Sequence, residues 1–573
     1  MKIEVNGNII EVKKGETLLT ALKNVGISIP TLCHMEDVFP SGSCRMCVVE
    51  VEGDKNLVPS CAVEVREGMK VKTHSTRVLK ARKTIIELLL ASHPDDCLYC
   101  ERNGYCELQS LSEELGIRER RYTAKKPDYK IDNSSVSLIK DASKCILCGR
   151  CVRVCEEIQG VSAIDFVGRG SKATVSPAFN QGLNLSSCIN CGQCVRVCPT
   201  GALTENNSLK ELINALMDPE KVVVVQHAPS VSVTIGEYFG YKEGTDVAGV
   251  LNAALRKLGF KKVFDTAFSA DLTIMEEASE LVHRIKNGGK LPMFTSCSPG
   301  WVKYVEQFYP EFIENISSCK SPQQMLGSII KNYFAPKNDI DPSKIFSVSI
   351  MPCTAKKFEA ERQELSSKDG SPDIDLAITT RELAKLFKMF NIDFNSLEVE
   401  EADNPFGVRS SAGKMFGVSG GVLEAALRTA HFLITGKEME TLEIKQIRDM
   451  AGIKEATLNI GGIELNVASV SGLGNAKKML EDIKAGRKNI HFMEVMTCPG
   501  GCIAGGGQPY GLDKNKIAQR MKVLYKIDKD SEIKCSHKNE SIKNLYKDFL
   551  GEPLGEKSHH LLHTKYKKRK TNY

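Results

Sequence analysis

Cysteine spacing is the feature of this chain that can do chemistry. Of 573 residues, 21 are cysteine, and most fall into tight groups. Two groups repeat one another: Cys-Ile-Leu-Cys-Gly-Arg-Cys-Val-Arg-Val-Cys from Cys145, and Cys-Ile-Asn-Cys-Gly-Gln-Cys-Val-Arg-Val-Cys-Pro from Cys188. An iron–sulfur cluster needs four soft, anionic donors converging on one point, and thiolates supply them. The run C-x2-C-x2-C-x3-C belongs to two-cluster ferredoxins, where the fourth cysteine of each run ligates the other cluster. The spacing therefore predicts one [4Fe–4S] held by Cys145, Cys148, Cys151 and Cys198, and another held by Cys188, Cys191, Cys194 and Cys155. Zinc also takes C-x2-C pairs, but a doubled run followed by Pro199 favours iron.

Two further groups precede the repeat. Cys33, Cys44, Cys47 and Cys61 have the spacing C-x10-C-x2-C-x13-C. The close central pair and distant last ligand resemble a plant-type [2Fe–2S] arrangement, although the opening spacing is looser. A structural zinc site is the alternative. His93, Cys97, Cys100 and Cys106 form H-x3-C-x2-C-x5-C, which suits zinc and a [4Fe–4S] cluster equally on spacing alone. Context tips it towards iron, because zinc in the midst of three iron–sulfur centres would interrupt an electron route.

The elements that must position these groups fall into domains. At roughly 150 residues per domain the length suggests about four. Hydrophobic residues make up 42% and charged residues 26%, a globular balance that excludes disordered and collagen-like classes. The net charge of +6 is the difference between 77 basic and 71 acidic residues, so no nucleic-acid partner is expected. The sequence lacks an apolar stretch of the ~18–20 residues a membrane helix needs, and no export signal is seen. The expectation is a cytoplasmic protein without membrane contact, where clustered thiols are metal ligands rather than disulfides.

Alternating residues around Asn6-Gly7 predict a strand, a tight turn and a second strand. An apolar face at Ile85, Ile86, Leu88 and Leu89 predicts a helix leading to His93. From residue 221 onward, apolar runs at 222–225, 263–264, 293–295, 346–350, 376–379 and 492–496 alternate with amphipathic stretches at 275–286, 323–334 and 381–390. Such alternation predicts parallel sheets covered by helices. The expected fold is α/β and multidomain: a β-grasp-like [2Fe–2S] domain (1–78), a small helical domain with the one-His, three-Cys group (79–118), and a two-[4Fe–4S] ferredoxin-like domain (136–208). A two-lobed α/β domain (209–512) and a C-terminal segment (513–573) follow, the latter ending in a basic stretch, 565–570, expected to be solvated.

The order of the first three modules resembles the electron-input arm shared by the large iron–sulfur subunit of complex I and the long [FeFe]-hydrogenases. The second half separates the two. Thr295-Ser296-Cys297-Ser298-Pro299-Gly300-Trp301 resembles the hydrogenase signature TSCCPxW. Residues 351–359, Met-Pro-Cys-Thr-Ala-Lys-Lys-Phe-Glu, match MPCxxKxxE, and residues 494–509 match ExMxCxGGCxxGGGQP. With three long motifs in order, the chain resembles clostridial-type monomeric [FeFe]-hydrogenases over essentially its whole length. Each motif begins just past a predicted buried strand, where open α/β sheets place their ligands.

That resemblance implies an H-cluster: a [4Fe–4S] cubane joined through cysteine to a two-iron unit carrying CO, cyanide and azadithiolate. It implies Cys353, Cys498 and Cys502 as cubane ligands, with Cys502 bridging, and Lys356 facing a cyanide. A surface lysine is the alternative reading of Lys356. Met351 and Met496 are implied as soft packing around the irons, and Ala228, Pro229, Ser230 and Gln323 as pocket lining. Cys297, Glu277, Ser317, Glu280 and Arg284 take the positions of the family's proton relay. Glu277 and Glu280, three apart on one helix face, otherwise read as solvated. Cys319 and Cys535 fall outside every ligand pattern and are expected to be ordinary thiols.

One position departs from the family. The cubane ligand directly before proline is here Ser298, a harder and less acidic donor than cysteine. Three outcomes are open: Ser298 ligates as an alkoxide, Cys297 becomes the ligand and leaves its relay role, or the cubane is labile. The implied activity is reversible reduction of protons to H2, with ferredoxin or flavodoxin as carrier, maturation proteins as assembly partners, and a monomeric state. An electron-transfer or assembly protein lacking the two-iron unit is the competing reading, and a sensory or low-activity hydrogenase is a third.

Overall fold

A computed structural model describes residues 1–126, 129–367 and 370–570. The N-terminal domain is a five-stranded sheet ordered β2-β1-β5-β3-β4, made of β1 (Lys2–Val5), β2 (Asn8–Glu11), β3 (Val48–Val51), β4 (Val58–Pro59) and β5 (Lys70–Lys72). Asn6 and Gly7 both have positive φ, which turns β1 directly into β2 in antiparallel register. The helix Leu18–Asn24 closes over one face and buries Leu18, Leu19, Ala21 and Leu22. The next helix, Thr76–Ser92, is capped by the Ser75 hydroxyl and reaches further back than the apolar pattern around 85–89 suggests.

The ferredoxin-like region is built from loops and short helices around two small sheets, β6 (Leu138–Lys140) with β9 (Leu203–Glu205), and β7 (Asp165–Val167) with β8 (Thr174–Ser176). The β6–β9 pairing is antiparallel and ties the start of this region to its end. It thereby brings the two cysteine runs together.

The larger domain holds two sheets. The first, β11-β10-β13-β14, is parallel throughout, from β10 (Val222–His227), β11 (Lys262–Asp265), β13 (Ile345–Met351) and β14 (Leu376–Thr379). The second, β12-β17-β16-β15, comprises β12 (Met293–Phe294), β15 (Ile453–Ile460), β16 (Ile463–Ser471) and β17 (Phe492–Met496). Parallel strands here are buried on both faces, and β17 is buried at every residue.

The second sheet corrects the expectation of parallel pairing alone, because β15 and β16 form an antiparallel hairpin. Its turn is Gly461-Gly462, both at positive φ. A two-residue hairpin turn of this kind favours glycine, so the Gly-Gly pair was the available signal.

One helix joins the lobes. Thr266–Asn287 is capped by Asp265, whose side chain accepts from the Ala267 amide, and is stopped by Gly288 at φ 75°. Phe268 and Leu272 pack into the core of the first sheet, while Ala270, Ile274 and Leu281 pack into that of the second. With both faces buried, its carboxylates lie inside the protein. Glu276 and Glu277 are wholly buried and Glu280 nearly so, which replaces the solvated-face reading.

The C-terminal segment begins with the helix Lys514–Asp530 and ends against the catalytic domain. The basic stretch is not simply solvated: Arg569 Nε pairs with Glu306 at 2.7 Å, and its Nη2 reaches Glu364 at 2.8 Å. A buried ion pair fastens the ferredoxin-like region to the larger domain. Arg381 donates to both oxygens of Glu205 at 3.0 Å and to the carbonyls of Gly506 and Gln508. Burial alone would raise the Glu205 carboxyl, but Arg381 outweighs it and holds it down at about 2. Arg381→Leu would leave Glu205 buried without a partner, a loss of about 3–5 kcal/mol. The expected outcome is a thermal midpoint lowered by several degrees in calorimetry, with Glu205→Gln in the same chain recovering part of the loss.

Candidate metal centres and proton path

The two cysteine runs meet in crossed pairs. Cys145, Cys148, Cys151 and Cys198 line one cavity. Cys155, Cys188, Cys191 and Cys194 line another. The crossing follows from the chain's path: the helices Arg150–Arg153 and Gln193–Val197 pack side by side, so each run's last cysteine points into its neighbour's site. Burial raises the thiols of Cys151, Cys191 and Cys194 far above their ordinary value. Such thiols lose their protons readily only to a cation that compensates the charge.

In the first domain, Cys33 lies beside Cys44 and Cys47 beside Cys61. Within each pair one thiol is favoured as the anion: its neighbour's hydrogen bond lowers Cys33 to about 4 and Cys47 to about 6. His93 ends the helix Thr76–Ser92, with its ring pKa lowered by burial. Cys97, Cys100 and Cys106 follow in the loop before the helix Glu107–Glu114, and Cys97 is exposed. Both N-terminal modules border the ferredoxin-like region. A Cβ on Gly201 would stand 2.5 Å from Cys100 Sγ, and Arg153 donates to the carbonyls of Cys33 and Phe39.

The larger domain holds a cavity of about 740 Å³, open space at its mouth included. The ends of β12, β13 and β17 meet there, so Cys297, Ser298, Cys353, Cys498 and Cys502 share one lining. Ala228, Pro229, Ser230, Gln323, Met351, Lys356 and Met496 complete it. Thr266, Ala270, Phe416 and Gly417 also line it; they lie outside the three motifs, so sequence reasoning missed them. Burial lifts the Cys353 and Cys498 thiols and pushes Cys502 up to about 12.

Backbone closeness shapes this cavity. A Cβ on Gly505 would fall 2.1 Å from the Pro352 carbonyl oxygen, and Gly501, at φ +96°, packs against Ser419. The glycines thus bring the loops carrying Cys353 and Cys502 into contact. Gly506 abuts Cys191 in the same way, its Cβ position lying 2.0 Å from the Cys191 oxygen. The cavity lined by Cys188 and Cys191 is therefore the accessory site next to the catalytic one.

Lys356 is buried, not on the surface. Its ammonium reaches Glu359 Oε2 and Ser321 Oγ at 2.8 Å and the Cys297 carbonyl at 3.2 Å. The Ser298 hydroxyl stands 2.7 Å from Thr497 Oγ1 and accepts from the Thr497 amide at 3.3 Å.

From Cys297 a line of polar groups runs outward along the helix Thr266–Asn287. Burial, then nearby Glu277 and Cys502, raise the Cys297 thiol well above its ordinary value. Glu277 follows, with neither carboxylate oxygen hydrogen-bonded by a side chain. Ser317 donates to Glu280 Oε2 at 2.7 Å, and Arg284 Nε donates to Glu280 Oε1 at 3.0 Å. Arg284 also reaches the carbonyls of Lys290 and Glu314 near the surface.

Comparison with known proteins decides the family. Residues 221–506 match the C-terminal domain of the iron-only hydrogenase large subunit, and residues 514–569 the iron hydrogenase small subunit. The chain belongs to the iron-only hydrogenases. Its N-terminal part matches a 2Fe-2S cluster-binding domain (1–76), the NADH-ubiquinone oxidoreductase-G iron–sulfur binding region (82–121) and the ferredoxin-like domain of NADH-quinone oxidoreductase subunit 3 (136–204).

The chain is 48% identical to the NADP-reducing hydrogenase subunit HndD of Solidesulfovibrio fructosivorans, over 99% of both chains. It is 43% identical to iron hydrogenase 1 of Clostridium pasteurianum, covering 99% of this chain and all of that one. A variant of the [FeFe]-hydrogenase HydA1 from Chlamydomonas reinhardtii superposes with a TM-score of 0.58 and 42% identity, over 63% of this chain and 99% of that one. This hydrogenase is thus an oxidoreductase acting on H2, with [2Fe–2S], [4Fe–4S] and H-cluster domains in one chain.

Burial, reinforced by Glu280, pushes the Glu277 carboxyl from an ordinary 4.5 up to about 8. Below the lower value both folded and unfolded chains hold the proton. Between the two only the folded chain does, so each pH unit there removes up to about 1.4 kcal/mol of stability, and above the higher value that loss is complete. Glu277→Gln is expected to flatten the fall in thermal midpoint across this window. It is also expected to cut H2 turnover by about 10²-fold or more.

Proposed function

We propose that this hydrogenase reduces protons to H2 and oxidises H2 at the cavity behind Cys353, Cys498 and Cys502, with electrons arriving through four accessory clusters. The observation that carries this reading is the shared lining: three thiols and Ser298, delivered by three strand ends, around one buried cavity. That donor set fits a cubane, since soft thiolates suit iron–sulfur chemistry. When bound, the two-iron unit supplies an open metal position and a basic amine for heterolytic H2 chemistry.

The chain's own groups do the rest. Lys356, held between Glu359, Ser321 and the Cys297 carbonyl, presents a fixed ammonium to anionic cyanide. Ala228, Pro229, Met351 and Met496 keep water out. Cys297 hands protons to and from Glu277, and Ser317, Glu280 and Arg284 connect Glu277 with the surface. Cys297 keeps this relay role in our reading, its thiol sharing a buried environment with Glu277. Ser298, the N-terminal neighbour of the helix Pro299–Phe308, would supply the fourth donor to the cubane.

Electron input is read from exposure. Cys97 with Leu98 and Tyr99 lies open on the one-His, three-Cys module, the surface through which ferredoxin or flavodoxin delivers electrons. A second reading follows from the relationship to an NADP-reducing hydrogenase subunit: another protein of a larger assembly delivers them instead. Turnover with reduced ferredoxin by a monomer in size-exclusion chromatography supports the first reading, and turnover with NADPH only in a larger assembly supports the second. We place the protein in the cytoplasm, dependent on maturation proteins for the two-iron unit.

After anaerobic maturation the clusters sum to roughly 20 irons per chain, with CO and cyanide infrared bands. About 14 to 18 irons without those bands would favour an electron-transfer or assembly protein. Ser298→Cys is expected to slow cubane loss to a chelator, and Ser298→Ala to hasten it, both followed by electron paramagnetic resonance.

A further inference from the structure

Glu280 has a second set of partners on the side away from Arg284. Its Oε2 accepts from the Ser318 amide at 3.1 Å and lies 3.3 Å from the Ser318 hydroxyl. Ser318 Oγ stands 2.8 Å from His563 Nδ1. The other ring nitrogen, Nε2, is 3.1 Å from Glu276 Oε2, and Glu276 Oε1 accepts from the Tyr546 hydroxyl at 2.6 Å. A continuous hydrogen-bonded chain therefore runs from Glu280 through a hydroxyl to an imidazole and on to a second carboxylate.

His563 is supplied by the C-terminal segment, far from the hydrogenase motifs in sequence. It is stitched in place by backbone: Lys320 N donates to Leu562 O at 2.7 Å, and Thr564 N to Ser318 O at 2.8 Å. The His563 ring is almost wholly buried, yet it stacks at 4.6 Å on His559, which is exposed. The groups around it are Glu276 and Glu280 from the helix Thr266–Asn287, the Cys319 thiol, Tyr546 beyond Glu276, and His559 and Lys565 on its own segment. Burial holds Cys319 well above its ordinary value, so that thiol stays neutral. An imidazole between a hydroxyl and a carboxylate can accept a proton on one nitrogen and release one from the other.

We infer that His563 is a second proton port of the relay, exchanging protons with Glu280 through Ser318. In the outward direction Glu280 gives its proton to Ser318 Oγ while the Ser318 hydroxyl proton moves to His563 Nδ1. This leaves a carboxylate, an intact serine and an imidazolium, whose Nε2–H passes to Glu276 Oε2, the oxygen that also meets the partly exposed loop at Leu554. Proton uptake is the reverse. The port rests on the relay reading above, and His563 is a positioning residue acting through Glu280.

The test measures H2 evolution by the matured holoenzyme with reduced methyl viologen across pH, with iron content and infrared bands confirming intact cofactors in each variant. With a second port, His563→Gln and Ser318→Ala lose about an order of magnitude of rate on the alkaline side, where protons are scarce, and little on the acid side. Added imidazole restores His563→Ala. Both results are required: a profile that superposes on the parent's, a uniform loss at every pH, or no restoration by imidazole overturns the port. Ser317→Ala separates the two readings. If it loses activity at every pH while His563→Gln is unchanged, only the port fails; if Ser317→Ala is fully active, the relay itself fails.

Discussion

Desolvation of ionisable donors is the constraint on which this structure depends. Thiols, a serine, a lysine and glutamates are packed where water cannot reach them, and each is costly there unless something compensates it. Protein groups compensate some of them, as Arg381 does for Glu205 and Glu359 for Lys356. Burial holds thiols in all three cavities, Cys151, Cys191 and Cys353 among them, well above their ordinary range, and nearby cations such as Lys356 offset it only in part. A cationic iron–sulfur group is the chemical complement of that arrangement. The same dryness keeps Glu277 neutral up to about 8, which lets it both hold and release a proton near neutrality.

Close approach of backbone serves the electron route as desolvation serves the proton route. Gly192 and Gly506 remove the side chains that would separate the ferredoxin-like region from the catalytic loops. Gln193 and Arg196 then donate to the Ala504 carbonyl across the same seam, and Thr354 donates to Asn190 O at 2.7 Å. The contact between neighbouring metal sites is thus main chain against main chain at Gly506 and Cys191, reinforced by side-chain hydrogen bonds to backbone carbonyls. Side-chain motion cannot easily loosen it.

The proton side is organised by one helix. Thr266–Asn287 carries Glu276, Glu277 and Glu280, and it is buried because its two faces serve two sheets. Both lobes must be assembled before its carboxylates are dry. The C-terminal segment completes the enclosure by placing His563, Tyr546 and the Leu554 amide against them. A segment with few motif residues of its own thereby determines the surroundings of the relay.

Cysteine spacing could be read from the sequence because a C-x2-C-x2-C run folds around a cluster locally, whatever the rest of the chain does. The buried strands were legible for a similar reason: β10 opens on four valines, and β13 and β17 are short, mostly apolar stretches, which short-range patterning reveals. The hairpin β15–β16 was signalled only by Gly461-Gly462 between alternating residues, and that local sign is weak beside so many parallel strands. What the linear order could not contain was burial. Glu277, Glu280 and Lys356 look like solvated positions until two lobes close over them. Cys319, His563 and Phe416 became neighbours of the site only through contacts spanning hundreds of residues. Ligand identity is a property of local spacing, whereas dielectric environment and proton connectivity belong to the assembled tertiary structure, because each depends on which distant surfaces exclude water from a given side chain.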